Sequence, residues 1–347
     1  MKVALVGAGA IATPYATCIV AEPRLELAGA TDVSPGRADE LVAVHGGTAY
    51  PSLDDLLADD SVELVVNLTP AARHAEITRI CLEGGKHVHS EKPIALEAAD
   101  AWALVELARD RGLRLSCAPA TVLGEAQQTA WKLVREGELG HVRAVYAEAN
   151  WGRIETWHPA PEAFYAVGPL VDVGIYPLTI LTAMFGPVRR VTGFASTLLA
   201  DRRRVDGEPF SVGAADFWVA ALELADGIVV RLTASFWVGG GKARGLEVFG
   251  DEGSLWMSSW LDFDSPLELS RDGNTYAPVA VPETAYRGID WARALVEVAE
   301  AIEQGRPHRL GAEHGAHVVE VLNAVERSCR EGGPVDVHSS FPSPEPL

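Results

Sequence analysis

Near the start of the chain a short apolar run, Val3-Ala4-Leu5-Val6, gives way to Gly7-Ala8-Gly9-Ala10-Ile11-Ala12, and this junction constrains the fold more than any other stretch. Gly7 permits a tight turn, Gly9 lets the main chain approach a pyrophosphate, and a small residue at position 12 lets the next helix, expected over Ile11 to Ala21, pack on the strand. The N-terminus of that helix, at Ala10 and Ile11, favours an anion. About twenty residues on, Asp32 closes a second apolar run, where a carboxylate can accept hydrogen bonds from ribose hydroxyls and would repel a 2′-phosphate. Loop and acid together read as a dinucleotide site that prefers NAD. Arg37 leaves NADP open, because a guanidinium at this turn can pair with a phosphate. On the loop and acid alone, a different ligand such as S-adenosylmethionine also stays open.

Short β-type runs at residues 3–6, 25–30, 64–67, 87–89 and 113–116 are mostly separated by helical stretches. That alternation predicts a parallel sheet with helices on both faces, an α/β domain over residues 1–120. A helix over 123–136 and a long strand over 142–150 follow. Runs at 188–197, 217–224, 228–236, 245–249, 254–257 and 267–270 are then separated by turn residues such as Ala225-Asp226-Gly227. They predict a mostly antiparallel sheet in an α+β domain over 121–338, with helices at 170–185, 291–303 and 313–330. Residues 339–347, rich in proline, read as a flexible tail, either disordered or laid along the surface.

The 347 residues include 48 acidic and 29 basic side chains, a net charge of −19, which disfavours nucleic acid and anionic membrane surfaces as partners. The densest basic stretch, Arg202-Arg203-Arg204, reads as a solvated loop without functional weight. Four scattered cysteines, without metal-ligand spacing, read as core residues in a reducing compartment. With no apolar stretch of the roughly 20 residues a membrane span needs, the expected location is the cytoplasm.

Further motifs lie in a telling order: Asn67-Leu68-Thr69-Pro70 with His74, Gly84-Gly85-Lys86-His87-Val88, Ser90-Glu91-Lys92-Pro93, Trp157-His158-Pro159 and Leu170-Val171-Asp172-Val173-Gly174-Ile175-Tyr176-Pro177. Together they resemble the glucose-fructose oxidoreductase/inositol dehydrogenase (Gfo/Idh/MocA) family, over nearly the whole chain to about residue 335. The resemblance implies a Rossmann domain joined to an open, mostly antiparallel sheet. It also implies an NAD(P)-dependent enzyme acting on CH–OH groups of sugars, cyclitols or related diols. By motif position, Lys92 would stand near the nicotinamide and the substrate hydroxyl, Glu91 would bind the cofactor ribose, and Thr69 and His74 would lie on the cofactor side. Asp172 would be the substrate-side aspartate and Tyr176 the acid–base residue, where many members carry histidine.

The chemistry agrees with that carry-over. Oxidising a secondary alcohol requires a proton acceptor as the hydride departs. A phenol with a reference pKa of about 10 becomes a usable base if an ammonium within about 4 to 6 Å favours its anion, so Tyr176 makes sense beside Lys92. Asp172 precedes Tyr176 by four residues, which on one continuous helix aligns both with Thr179 on a single face. Trp151, Arg153, Trp157, His158, Tyr165 and Thr121 are further substrate-side candidates. Two competing readings accompany the dehydrogenase: a non-catalytic NAD-binding ligand sensor of the same family, and methyl transfer, which the Glu-Lys-Pro motif disfavours. An open sheet face needs covering, so a homodimer or homotetramer is expected.

Overall fold

The computed structural model describes residues 1–283 and 288–347. The chain divides into two compact units, the first comprising Met1–Ala120 and Asp290–Val319, the second Thr121–Ile289 and Glu320–Leu347.

The first unit is built on strands β1 (Lys2–Val6), β2 (Glu26–Thr31), β3 (Thr48–Ala49), β4 (Leu64–Asn67), β5 (His87–Ser90) and β6 (Leu115–Cys117). They form one sheet in the order β3-β2-β1-β4-β5-β6, with every neighbour parallel. The β3 edge, two residues long, is too short to announce itself as an apolar run. Between β1 and β4 the strand order reverses, and ligands of such sheets bind outside the carboxyl ends of the strands at that point. Val6 of β1 pairs there with Asn67 of β4, so the glycine loop and the turn Leu68-Thr69 leave the sheet side by side.

Residues 290–319 return to this unit, although the 121–338 boundary had placed them in the second domain. Ala312, Ala316 and Val319 enter the core beneath β4, β5 and β6, the Cys117 N–H donates to Leu310 O at 3.3 Å, and Ser116 bridges Gly311. The amphipathic helix Arg293–Glu303 has the same sequence signature whichever sheet it joins, so periodicity alone could not assign it.

In the second unit strands β7 (Val142–Asn150), β8 (Val188–Ser196), β9 (Asp201–Arg203), β10 (Pro209–Ser211), β11 (Phe217–Leu224), β12 (Val229–Ser235), β13 (Gly245–Gly250), β14 (Ser254–Met257), β15 (Leu267–Ser270), β16 (Ala277–Val279) and β17 (Val335–Asp336) appear in chain order. Nine of them form one sheet, β16-β15-β14-β13-β7-β12-β11-β8-β17, and β9 pairs with β10 separately. Only β7 and β12 run parallel within the large sheet. Its faces alternate as a half-covered sheet must: Val145, Ala147, Val230 and Leu232 are buried, whereas Tyr146 and Val229 are exposed on the other side.

Three expectations for this unit are corrected. The helix expected over 170–185 is two helices, Pro169–Asp172 and Ile175–Phe185. Pro177 lacks an N–H and its ring would clash with the Val173 carbonyl in a continuous helix, so the chain breaks at Val173-Gly174. Arg202 is not solvated: its side chain is fully buried and ion-paired to Glu155 and Asp216. The tail is pinned rather than flexible, with Phe341 buried, Arg135 paired to Glu345 at 2.7 Å and the Leu347 N–H donated to Gln128 Oε1 at 2.6 Å. A buried aromatic and an ion pair hold nine residues that composition alone marks as loose.

Candidate active site

The candidate cofactor residues lie at the β1–β4 switch of the first unit. Gly7 has φ of +99°, and a Cβ there would stand 2.8 Å from Leu68 O, so position 7 excludes side chains on both counts. At Gly9 a Cβ would meet nothing within 4 Å, which leaves the outer side of the loop open at the point where a pyrophosphate would lie. The helix beyond, Ala12–Ala21, begins with Ile11 at its N-cap, a side chain that cannot satisfy the first-turn N–H groups. Loop, open space and uncapped helix end fit a dinucleotide.

Asp32 is tied to this loop. Its Oδ2 accepts the Ala8 N–H at 2.7 Å and its Oδ1 accepts the Ser34 N–H at 2.7 Å. Burial opposes its ionisation, but these hydrogen bonds and the nearby Arg37 charge outweigh that and hold its carboxyl below the usual range. An ionised acid at the end of β2 is what a ribose diol needs and a 2′-phosphate avoids.

Around the end of β4 a buried amide organises the next turn. Asn67 Nδ2 donates to His74 O and to Thr78 Oγ1, both at 3.0 Å, while Asn67 Oδ1 accepts from Thr69 Oγ1 at 2.7 Å. His74 is buried, and its ring nitrogens lie 2.7 Å from Thr69 O and 2.6 Å from Pro93 O. It therefore braces the Thr69 turn against the Glu-Lys-Pro turn, with both nitrogens on backbone carbonyls. Glu91 is buried; its Oε1 accepts from the Tyr15 hydroxyl at 2.8 Å and its Oε2 from the Lys92 N–H at 3.0 Å. Lys92 itself is half-buried.

In the second unit Asp172 ends one helix and Tyr176 lies in the first turn of the next, so the two do not share the unbroken helical face expected of them. Thr179 is satisfied within its own helix, its hydroxyl donating to Ile175 O at 2.8 Å. Tyr176 instead faces an aromatic neighbour that no motif announced. Its ring centroid is 5.1 Å from that of Trp260, which in turn lies 5.9 Å from Trp151. Trp260 is buried and fixed by an indole N–H donated to Glu148 O at 3.0 Å.

The other candidates separate. Trp157 is exposed and packs edge-on against His158 and Phe164. The His158 Nδ1 accepts the Ala160 N–H at 3.1 Å, a local turn contact. Tyr165 does not present its hydroxyl to a site: it is buried, donates to Glu155 Oε2 at 2.5 Å and accepts from Arg202 at 2.7 Å. Burial and the Glu155 contact push its phenol far above the ordinary value. Arg153 extends over the Trp237 ring at 5.7 Å. Thr121 is buried, and its hydroxyl has no hydrogen-bond partner among the described residues. Among those residues no cluster of His, Cys, Asp or Glu is arranged to hold a metal, and no helix is long and apolar enough to cross a membrane.

Comparison with known proteins agrees with this reading of the fold. Residues 1–118 match the model of the oxidoreductase family with an NAD-binding Rossmann fold, and residues 127–256 match the GFO/IDH/MocA C-terminal domain. The chain belongs to the Gfo/Idh/MocA family of NAD-binding oxidoreductases. It is 34% identical over 173 residues to dTDP-3,4-didehydro-2,6-dideoxy-alpha-D-glucose 3-reductase of Streptomyces violaceoruber, covering 50% of this chain and 51% of that one. It is 33% identical over 187 residues to trans-1,2-dihydrobenzene-1,2-diol dehydrogenase of Bos taurus, covering 52% and 55%. The chain thus spans about half the length of the curated relatives it matches. A solved NAD binding oxidoreductase from Klebsiella pneumoniae superposes with a TM-score of 0.85 at 21% identity over 98% of this chain and 99% of that one, a likeness of fold.

Proposed function

We propose that this chain is an NAD-dependent dehydrogenase that transfers a hydride between the nicotinamide and a secondary hydroxyl of a sugar, cyclitol or related diol. The observation that carries the reading is the Glu91-Lys92-Pro93 turn, held at the end of β5 by Tyr15 on one side and His74 on the other. Gly7, Gly9, Ala10 and Ile11 would hold the NAD pyrophosphate, Asp32 and Glu91 would bind its riboses, and Thr69 would line the nicotinamide side. When bound, the nicotinamide accepts or returns the hydride. Lys92 orients the reacting hydroxyl, Tyr176 takes the hydroxyl proton, and Asp172 holds a neighbouring hydroxyl. Relatives named as a sugar 3-reductase and a diol dehydrogenase support the substrate class.

The same reading includes a homo-oligomer, a dimer or tetramer in the cytoplasm. The open face of the nine-stranded sheet carries Tyr146, Phe194 and Val229, and a groove whose lining includes Glu148, Glu247 and Glu268 against Arg231, Lys242 and Arg244. A second copy of the chain covering these exposed apolar side chains would form an isologous, two-fold interface.

The test is spectrophotometric. Purified protein with NAD and a panel of aldoses, cyclitols and vicinal diols is expected to form NADH at 340 nm with at least one of them. Lys92→Ala and Tyr176→Phe should each lower that rate by about a hundredfold or more, in keeping with the loss of a proton-transfer group. A full panel without turnover, from protein that binds NADH, would leave a ligand sensor as the better reading.

A further inference from the structure

We infer that Tyr15 is a positioning residue for the cofactor: its hydroxyl fixes the Glu91 carboxylate in the orientation that binds the ribose. The inference rests on the assignment of Glu91 to the cofactor proposed above. Tyr15 lies on the helix that opens with the glycine loop, whereas Glu91 follows β5, with β4 between the two parent strands in the sheet. The 2.8 Å bond therefore joins the pyrophosphate end of the site to the Glu-Lys-Pro turn.

Both carboxylate oxygens are already oriented, one by the phenol and one by the Lys92 N–H, and each keeps a lone pair for a ligand hydroxyl. A long flexible acid is thereby held in one rotamer before the nucleotide arrives, so less of its freedom is lost on binding. The phenol is itself held from behind. Because its proton goes to Glu91, it can only accept from His89 Nε2 at 3.4 Å, which leaves His89 Nδ1 to accept from the Ser116 hydroxyl at 2.6 Å. Trp291 packs against the ring at 5.2 Å. Tyr15, His89, Glu91 and Ser116 are all buried, so water does not compete for these bonds.

Tyr15→Phe keeps the ring packing and removes only the hydroxyl. Calorimetric titration with NADH is expected to show about tenfold weaker binding, the scale of a lost hydrogen bond to a charged group. In steady-state assays the KM for NAD should rise with kcat within about twofold. In a Glu91→Gln background the same substitution should change NADH affinity by less than about twofold, because the group it acts through has been altered. A phenol that served stability alone would lower the melting temperature and leave NADH affinity at the wild-type value, which would overturn the inference. Equal losses in both backgrounds would overturn it too, since Tyr15 would then act independently of Glu91. His89→Asn, which leaves Tyr15 and Glu91 in place, should weaken NADH by about threefold through the same route; unchanged affinity in that variant would count against it. Wild-type protein that bound no NADH would instead remove the cofactor reading on which all of this stands.

Discussion

The phenol of Tyr176 stands against the indole of Trp260, ring centroids 5.1 Å apart and planes tilted by 37°. Such a contact fixes the direction of the phenol oxygen, which the proposed role of Tyr176 as proton acceptor requires. Trp260→Phe should therefore raise the KM for the substrate by about threefold to tenfold, the scale of one aromatic pair. Steady-state kinetics beside a melting curve would check this, and a KM unchanged in a folded variant would show that Trp260 only fills space.

We propose that Asp32 sets the choice of dinucleotide. Removing its charge with Asp32→Ser should weaken NAD by about tenfold and narrow the preference over NADP, because the repulsion of a 2′-phosphate is lost while Arg37 remains. Dissociation constants for NADH and NADPH, measured side by side, give the ratio directly. Wild-type protein that prefers NADPH would show that Arg37 outweighs the carboxylate.

Arg202 separates two adjacent arginines that look alike in sequence. Arg202→Ala leaves Asp216 buried without its cation and Glu155 with only Arg153 at 3.9 Å, and should cost about 3 to 5 kcal/mol of stability. Arg203→Ala, at an exposed position, should stay within about 0.5 kcal/mol. Urea denaturation of the two variants tests the contrast, and equal effects would refute it.

Stability should fall in mild acid through His89. Burial, with the charge of His308 adding to it, pushes its imidazole down to about 3 from an ordinary 6.5. The unfolded chain therefore binds a proton below about pH 6.5 that the folded protein refuses, so the contribution of His89 is complete above that pH and declines toward pH 3. Its share of the slope is about 1.4 kcal/mol per pH unit. Unfolding free energies between pH 7 and 4.5 should show a shallower slope in His89→Asn by that amount, and identical slopes would rule the mechanism out.

The open sheet face predicts its own disruption. Phe194→Glu adds a charge to an exposed apolar position and should reduce the mass seen by light scattering to that of one chain. A wild-type protein that already runs as a single chain would end the proposal.

The sequence by itself determined the glycine loop, the strand–helix alternation around it and the turn-separated, mostly antiparallel strands of the second sheet, since each is written in neighbours a few residues apart. Motif position also singles out Glu91, Lys92, Asp172 and Tyr176 as candidates. Tertiary structure decided what those neighbours could not encode. Residues 290–319 close the first unit, Pro177 splits a helix that apolar content made look continuous, and Arg202 finds two buried carboxylates from distant segments. Tyr15 meets Glu91, and Trp260 meets Tyr176, across stretches of chain that carry no shared pattern. A buried polar or aromatic side chain takes its role from the partner that desolvation forces on it, and that partner is fixed only when the whole core closes.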